Sequence, residues 1–196
     1  MTKVVADQSV SLDGFSAGIN VREGNGMGDN GDLLHAWIAY KGFDQFRDEQ
    51  FEGVGAAIIG RTMFDVGVEP WGDNPPFHMP VFVVTHRARQ PLVKAGGTTY
   101  FFITEGIENA VQQARSAADN KDVLILGGAD IIQQFMNAAL VDELRLHLAD
   151  VLLGDGTRFW NPSNAGTVEM ERIRLVETPG ATHFTFNVKR KGIHQS

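Results

Sequence analysis

Two short segments of this chain combine glycine with groups suited to phosphate. They are Ile59-Gly60-Arg61-Thr62-Met63-Phe64 and Leu126-Gly127-Gly128-Ala129-Asp130-Ile131, and each joins an apolar run to the start of a helical pattern. A glycine at the carboxyl end of a buried strand lets the backbone approach a ligand, and the N–H groups that open the next helix point at it. Arg61 adds a forked cation and Thr62 a hydroxyl, both suited to phosphate oxygens. Either turn alone is equally well a tight strand-to-helix connection. Together they favour a ligand with two phosphate-bearing regions, a dinucleotide.

Other residue types point to chemistry less firmly. Gly26-Met27-Gly28-Asp29-Asn30-Gly31 spells G-x-G-x-x-G, but that fingerprint works only directly after a strand, and the first strand ends well upstream. The segment reads as a flexible loop or lid. His35, His78, His86, His147, His183 and His194 show no metal-ligand spacing, so no metal is expected. His147 alternates with leucines and reads as a solvent- or helix-facing residue. Ser9 and Ser11 lie in no G-x-S-x-G elbow, which argues against a serine hydrolase. Asp44, Asp48 and Glu49 read as the solvated face of a helix. Trp37, Phe64, Trp71 and Phe77 are candidates to line an apolar pocket, with core packing as the alternative.

The elements that hold these residues follow from periodicity. Residues 3–10 read as a first strand, followed by a glycine-rich segment from Gly14 to Gly31 that is expected to be a mobile loop. Asp32 is placed to cap a helix carrying Leu33, Leu34, Trp37, Ile38, Phe43 and Phe46, with a break possible at Gly42. Residues 56–59, 81–84, 99–103 and 123–126 are short apolar runs, the pattern of strands covered on both faces. Helical stripes lie at Ile107–Ala118 and at about Ala129–Ala139. Alternating strand and helix predicts a three-layer α/β fold with a mostly parallel central sheet and helices on both faces. Leu144, Leu146 and Leu148, then Ile173, Leu175, Phe184, Phe186 and Val188 around a Pro179-Gly180 turn, predict an antiparallel C-terminal edge.

Bulk properties narrow the function classes. At 196 residues, 43% hydrophobic and 21% charged, the chain is expected to form a single globular domain over residues 1–196. A net charge of -7 with 17 Lys and Arg along the chain offers no basic face, so no nucleic-acid partner is expected. The absence of cysteine removes disulfides, thiolate metal sites and thiol nucleophiles. No apolar run approaches ~18 residues and the N-terminus does not read as a signal peptide, so no membrane association is expected and the cytoplasm is the default.

Several segments taken together resemble one family. They are Ser11-Leu12-Asp13-Gly14-Phe15, Gly60 to Asp65, Gly127-Gly128, and Val141 to His147 followed by Val151-Leu152-Leu153-Gly154-Asp155-Gly156. The chain is similar, over nearly its full length, to dihydrofolate-reductase-like proteins related to the C-terminal reductase domain of the bifunctional riboflavin-biosynthesis deaminase–reductase. The resemblance implies NADPH as cofactor, a small heterocyclic or carbonyl-type substrate that is pterin- or pyrimidinone-like, and a homodimer. It implies that Gly60, Arg61 and Thr62 hold phosphates, that Thr85, His86 and Arg87 meet the adenosine 2′-phosphate, and that Gly127, Gly128, Ala129, Asp130 and Ile131 cradle the pyrophosphate. The loop carrying Asp13 is expected to close over the nicotinamide, with the proton coming from water, His35 or Asp13. Trp37, Phe64 and Trp71 are the expected substrate contacts. The carboxylate that dihydrofolate reductase carries on its first helix has no clear counterpart among His35, Trp37 and Asp44. Two other readings stay open: a non-catalytic nucleotide-binding or regulatory protein of the same fold, and a redox protein using a flavin or deazaflavin.

Overall fold

The computed structural model describes residues 2–40, 51–161 and 167–189. Gly42, Phe43, Asp44, Phe46, Asp48, Glu49 and His194, which entered the sequence reading, lie outside the described residues.

The apolar runs become strands of one nine-stranded sheet. In chain order these are β1 (Val4–Ser11), β3 (Val54–Gly60), β4 (Pro80–Val84), β5 (Leu92–Val93), β6 (Thr99–Ile103), β7 (Asp122–Leu126), β8 (Glu143–Ala149), β10 (Met170–Thr178) and β11 (Ala181–Val188). Two short strands, β2 (Phe15–Ala17) and β9 (Thr157–Arg158), pair separately. Across the main sheet the order is β10-β11-β8-β1-β7-β3-β4-β6-β5. From β8 to β6 every neighbouring pair is parallel. The hairpin β10–β11 adds the expected antiparallel edge, turning at Gly180 with φ +83°. The two-residue β5 adds a second antiparallel edge that periodicity could not reveal, because two residues carry no period.

Three α-helices connect the strands: α1 (Arg61–Gly67), α2 (Ile107–Ala117) and α3 (Ala129–Asn137). The strands are apolar on both faces because helices cover both. On one face Ile58, Phe82 and Ile125 pack with Ala110 and Ala114 of α2 and Ile132 and Phe135 of α3. On the other, Ile59, Val83 and Leu124 pack with Phe64 of α1. No helix among the described residues is long and apolar enough to cross a membrane.

Two expectations are corrected here. Residues Gly31–Ala39 form a 3-10 helix whose cap position is Asn30, at φ 58°, so Asp32 lies inside the first turn and does not cap it. The glycine-rich segment is folded back on itself. Gly18 N–H donates to Met27 O at 2.9 Å, Asp29 N–H donates to Ile19 O at 2.7 Å, and the Asp29 carboxylate accepts from the side chains of Asn20 and Asn25. Its glycines serve close backbone packing: a Cβ on Gly18 would fall on the backbone of Asp29, and one on Gly28 would fall on that of Gly18.

Candidate active site

Register places the two glycine turns side by side. Ile59 pairs with Leu126 on adjacent parallel strands, so Gly60 and Gly127 leave the sheet at neighbouring points of its carboxyl edge. From there the chain diverges. β3 runs through α1 to β4 on one side, and β7 runs through α3 to β8 on the other. Helices α1 and α3 cover opposite faces of the sheet. A crevice opens at such a switch point and is where open α/β sheets bind ligands. Here it is a cleft of about 1190 Å³. The two turns also touch: a Cβ built on Gly60 lies 3.6 Å from Cβ of Ile131.

Both turns line the cleft, Gly60, Arg61 and Thr62 from one side and Gly127, Gly128, Ala129, Asp130 and Ile131 from the other. The Gly127–Gly128 peptide is cis. A Cβ on Gly128 would meet nothing within 4 Å, so the backbone there stands open to a ligand. Gln134 Nε2 donates to one oxygen of the Asp130 carboxylate at 2.7 Å. Arg61 Nε donates to both oxygens of Asp65 at 2.8 Å. The terminal nitrogens of its guanidinium have no partner among the described residues.

Thr85, His86 and Arg87 also line the cleft, beside the β3 turn, because Gly60 pairs with Val84 at the end of β4. Thr85 is buried and its Oγ1 accepts from the Arg87 N–H at 3.1 Å, fixing the exit from the strand. His86 and Arg87 are exposed. His35 and Trp71 line the cleft as well. Burial, followed by the neighbouring His147, holds the His35 imidazole below its ordinary value of 6.5, with Asp7 and Asp32 opposing.

Three expected site residues lie elsewhere. Asp13 is not in the cleft lining. Its carboxylate accepts from the backbone N–H of Leu153 at 3.1 Å and of Gly154 at 2.7 Å. Ser11 and these N–H groups lower its carboxyl from 3.8 to about 2. A carboxylate held ionised in this way ties two loops together and is a poor proton donor. Phe64 is 1% exposed and stacks edge-on with Tyr100 and Phe102, making it a core residue. Trp37 is also buried and sits outside the cleft, its ring centroid 4.9 Å from His147 and 4.7 Å from His183.

Sequence reasoning missed the end of β1. Asp7, Gln8 and Ser9 all line the cleft and are 5%, 7% and 2% exposed. Gln8 Nε2 donates to Ser9 O at 2.9 Å, while Gln8 Oε1 and Ser9 Oγ are buried with no partner among the described residues. Buried polar atoms without partners are costly, and in a cleft wall a ligand can supply the missing bond. The available signal was three polar residues in succession within a strand that begins Val4-Val5-Ala6. His147 takes the helix-facing of its two expected settings, against Trp37 of the 3-10 helix, and joins a buried polar chain that its spacing does not show. It is 6% exposed, with Nε2 standing 3.2 and 3.3 Å from the Asp7 oxygens and Nδ1 2.7 Å from Nδ1 of His183. His183 Nε2 in turn lies 2.7 Å from Thr178 Oγ1. Among the described residues no cluster has the composition of a metal site.

Known proteins resemble this chain to different degrees. The uncharacterized protein YyaP of Bacillus subtilis (strain 168) is 26% identical over 163 residues, covering 79% of this chain and 78% of that protein. The crystal structure of a putative riboflavin biosynthesis protein from Shewanella sp. PV-4 superposes with a TM-score of 0.74 at 22% identity, covering 96% of this chain and 100% of that one. Dihydrofolate reductase from Enterococcus faecalis, complexed with NADP(H), superposes with a TM-score of 0.56 at 16% identity, covering 96% and 97%. These superpositions establish a dihydrofolate-reductase-like fold. The family model of the RibD C-terminal domain matches residues 2–183, and the chain belongs to that family.

Proposed function

We propose that the cleft binds NADPH and that the chain is a reductase passing a hydride from that cofactor to a small heterocyclic or carbonyl-type acceptor, pterin- or pyrimidinone-like. The observation that carries this is the pair of glycine turns meeting at the switch point between β3 and β7. Family membership supports a reductase, and the Enterococcus faecalis enzyme of like fold was solved with NADP(H).

The residues present fit the cofactor. Arg61 and Thr62 supply cation and hydroxyl for one phosphate region. The open backbone of Gly128 and the N–H groups that begin α3 suit the pyrophosphate. His86 and Arg87, exposed at the cleft rim, suit a dianionic 2′-phosphate. Gln8 Oε1 has no donor among the described residues, and a nicotinamide carboxamide carries one. NADPH, when bound, supplies the hydride; the protein holds it, orients the acceptor and keeps water out. Trp71, whose ring packs edge-on against Phe77 at 5.0 Å, is a fixed apolar wall for the acceptor. Homodimerisation and a cytoplasmic setting belong to the same proposal; light scattering on the purified chain tests the dimer.

Fluorescence titration with NADPH and NADH, on wild type, Arg61→Ala and Arg87→Ala, tests the assignment. Hydrogen bonds to charged groups contribute about 1.5–3 kcal/mol, so each substitution should weaken NADPH binding by roughly ten- to a hundredfold. Arg87→Ala should erase most of the preference for NADPH, whereas Arg61→Ala should weaken both nucleotides. If neither nucleotide binds wild type, the cofactor assignment is wrong.

A further inference from the structure

Reducing a C=N or C=O group takes a proton as well as a hydride, and Asp13 is not placed to supply it. Asp7 is. It lines the cleft and, alone among the described residues, also lines a second cavity of about 380 Å³. Behind it runs the chain Asp7–His147–His183–Thr178, carried by β1, β8, β11 and the end of β10 and flanked by the Trp37 ring.

The hydrogen-bond geometry restricts where protons sit. A 2.7 Å contact between two Nδ1 atoms needs one ring to donate and the other to accept. In one arrangement the Thr178 hydroxyl donates to Ala181 O, 3.3 Å away, and accepts from His183 Nε2–H. His183 Nδ1 then accepts from His147 Nδ1–H, and His147 Nε2–H donates to Asp7, making His147 an imidazolium beside a carboxylate. In the other arrangement the Thr178 hydroxyl donates to His183 Nε2 and His183 Nδ1–H donates to His147 Nδ1. His147 Nε2–H still donates to Asp7, and both rings are neutral. The two arrangements differ by one proton and need no movement of heavy atoms.

We propose that Asp7, His147 and His183 share one exchangeable proton and that Asp7 delivers it to the acceptor in the cleft, which rests on the reductase reading above. In the loaded unit the proton on His147 Nε2 passes to an Asp7 oxygen, giving a carboxylic acid beside a neutral ring. The Asp7 O–H bond then breaks as the proton bonds to the acceptor's nitrogen or oxygen, while its carbon receives the hydride and NADPH becomes NADP+. Asp7 returns to the carboxylate, His147 keeps its Nδ1–H, and a replacement proton from solvent at His147 Nε2 restores the first arrangement.

The surrounding charges are compatible with this division. Burial, then the neighbouring His147, pushes the His183 imidazole down to about 4, which keeps the shared proton toward His147 and Asp7. Around the second cavity stand Glu143 and Arg145 of β8, Arg174 of β10, and Glu52 ahead of β3. Glu143 bonds Arg145 Nε at 3.1 Å and Lys3 Nζ at 3.0 Å, so its charge is largely committed. His35 of the 3-10 helix interacts electrostatically with both Asp7 and His147 from the cleft side.

The test is long-range ¹H–¹⁵N correlation NMR of the histidine rings in the full chain, titrated with pH, for wild type and Asp7→Asn. The expected result is one common midpoint for His147 and His183, with both nitrogens of His147 protonated below it and His183 carrying a single proton. Asp7→Asn should move that midpoint for both rings, His183 included, by more than the direct electrostatic pull of Asp7 on His183 would give, because the proton itself is shared. Rings that titrate independently, or a His183 unmoved by Asp7→Asn, would overturn the shared proton. Reduction of dihydrofolate by NADPH, as the probe reaction, should slow by about 10²–10⁴-fold in Asp7→Asn and lose its pH dependence, while NADPH affinity stays within a few-fold. A rate within a few-fold of wild type would remove Asp7 as donor. If wild type does not bind NADPH, the cofactor reading fails while the ring spectra still decide the shared proton; they also decide it if NADPH binds and dihydrofolate is not reduced.

Discussion

Glycines that look alike in the sequence have different duties in the cleft. A Cβ on Gly127 would come 2.9 Å from Gln8 Oε1, whose amide is held by Ser9 O, whereas a Cβ on Gly128 would enter open space. Gly127→Ala should therefore cost roughly 1–3 kcal/mol of stability through overpacking. Gly128→Ala should leave the unfolding midpoint nearly unchanged and weaken NADPH binding by about tenfold, since it fills the space a phosphate needs. Denaturant unfolding and cofactor titration on both variants separate the two effects. Asp13 makes a different case. Its carboxyl is lowered in the folded chain to about 2 from 3.8, so its contribution to stability is present above 3.8 and is lost as pH falls toward 2. Wild type should exceed Asp13→Asn in urea midpoint at pH 7, and the gap should close as pH drops through that window. A gap independent of pH would show that the Asp13 clamp on Leu153 and Gly154 does not depend on charge.

Strands and helices with a full period could be read from the sequence with little error. Ile107–Ala117 shows a clear apolar stripe, and the strands β3, β4, β6 and β7 are continuous apolar runs, so their existence and parallel pairing follow. The two glycine turns were visible for the same reason: a glycine between an apolar run and a helix marks the carboxyl edge of a sheet. What could not be read depends on which strands become neighbours. His147 faces His183 only because β8 and β11 pair in that register, and Asp7 meets His147 only because β1 lies beside β8. Nothing in the local pattern around any of these residues records it. The glycine-rich segment misled for a related reason. Composition associates many glycines with flexibility, yet Gly18 and Gly28 are needed where backbone meets backbone. Gly18→Ala should push the Asp29 turn of this loop away and displace Val21, Gly26 and Met27 from the cleft wall. Limited proteolysis should then cut within residues 18–29 faster than in wild type, and NADPH affinity should fall; unchanged cleavage would contradict the packed loop.

The molecule as a whole is a sheet with a hydrophobic core on each face and a candidate ligand cleft at the carboxyl ends of its central strands. Because the chain diverges from β3 and β7 to opposite sides, a ligand at that point would touch segments far apart in sequence: the end of β1, the glycine-rich loop, both glycine turns and the exit of β4. The packed cores supply rigidity, since Ile58, Ile59, Leu124 and Ile125 directly behind the turns are fully buried. Binding should therefore leave a distinctive footprint in backbone protection. The most direct measurement is hydrogen–deuterium exchange of the whole chain with and without saturating NADPH. Slowed exchange at residues 60–64, 85–87 and 126–131 together, with the β10–β11 hairpin unchanged, is the predicted result. Protection confined to another face of the molecule, or none at these turns, would contradict the assignment of this cleft to NADPH.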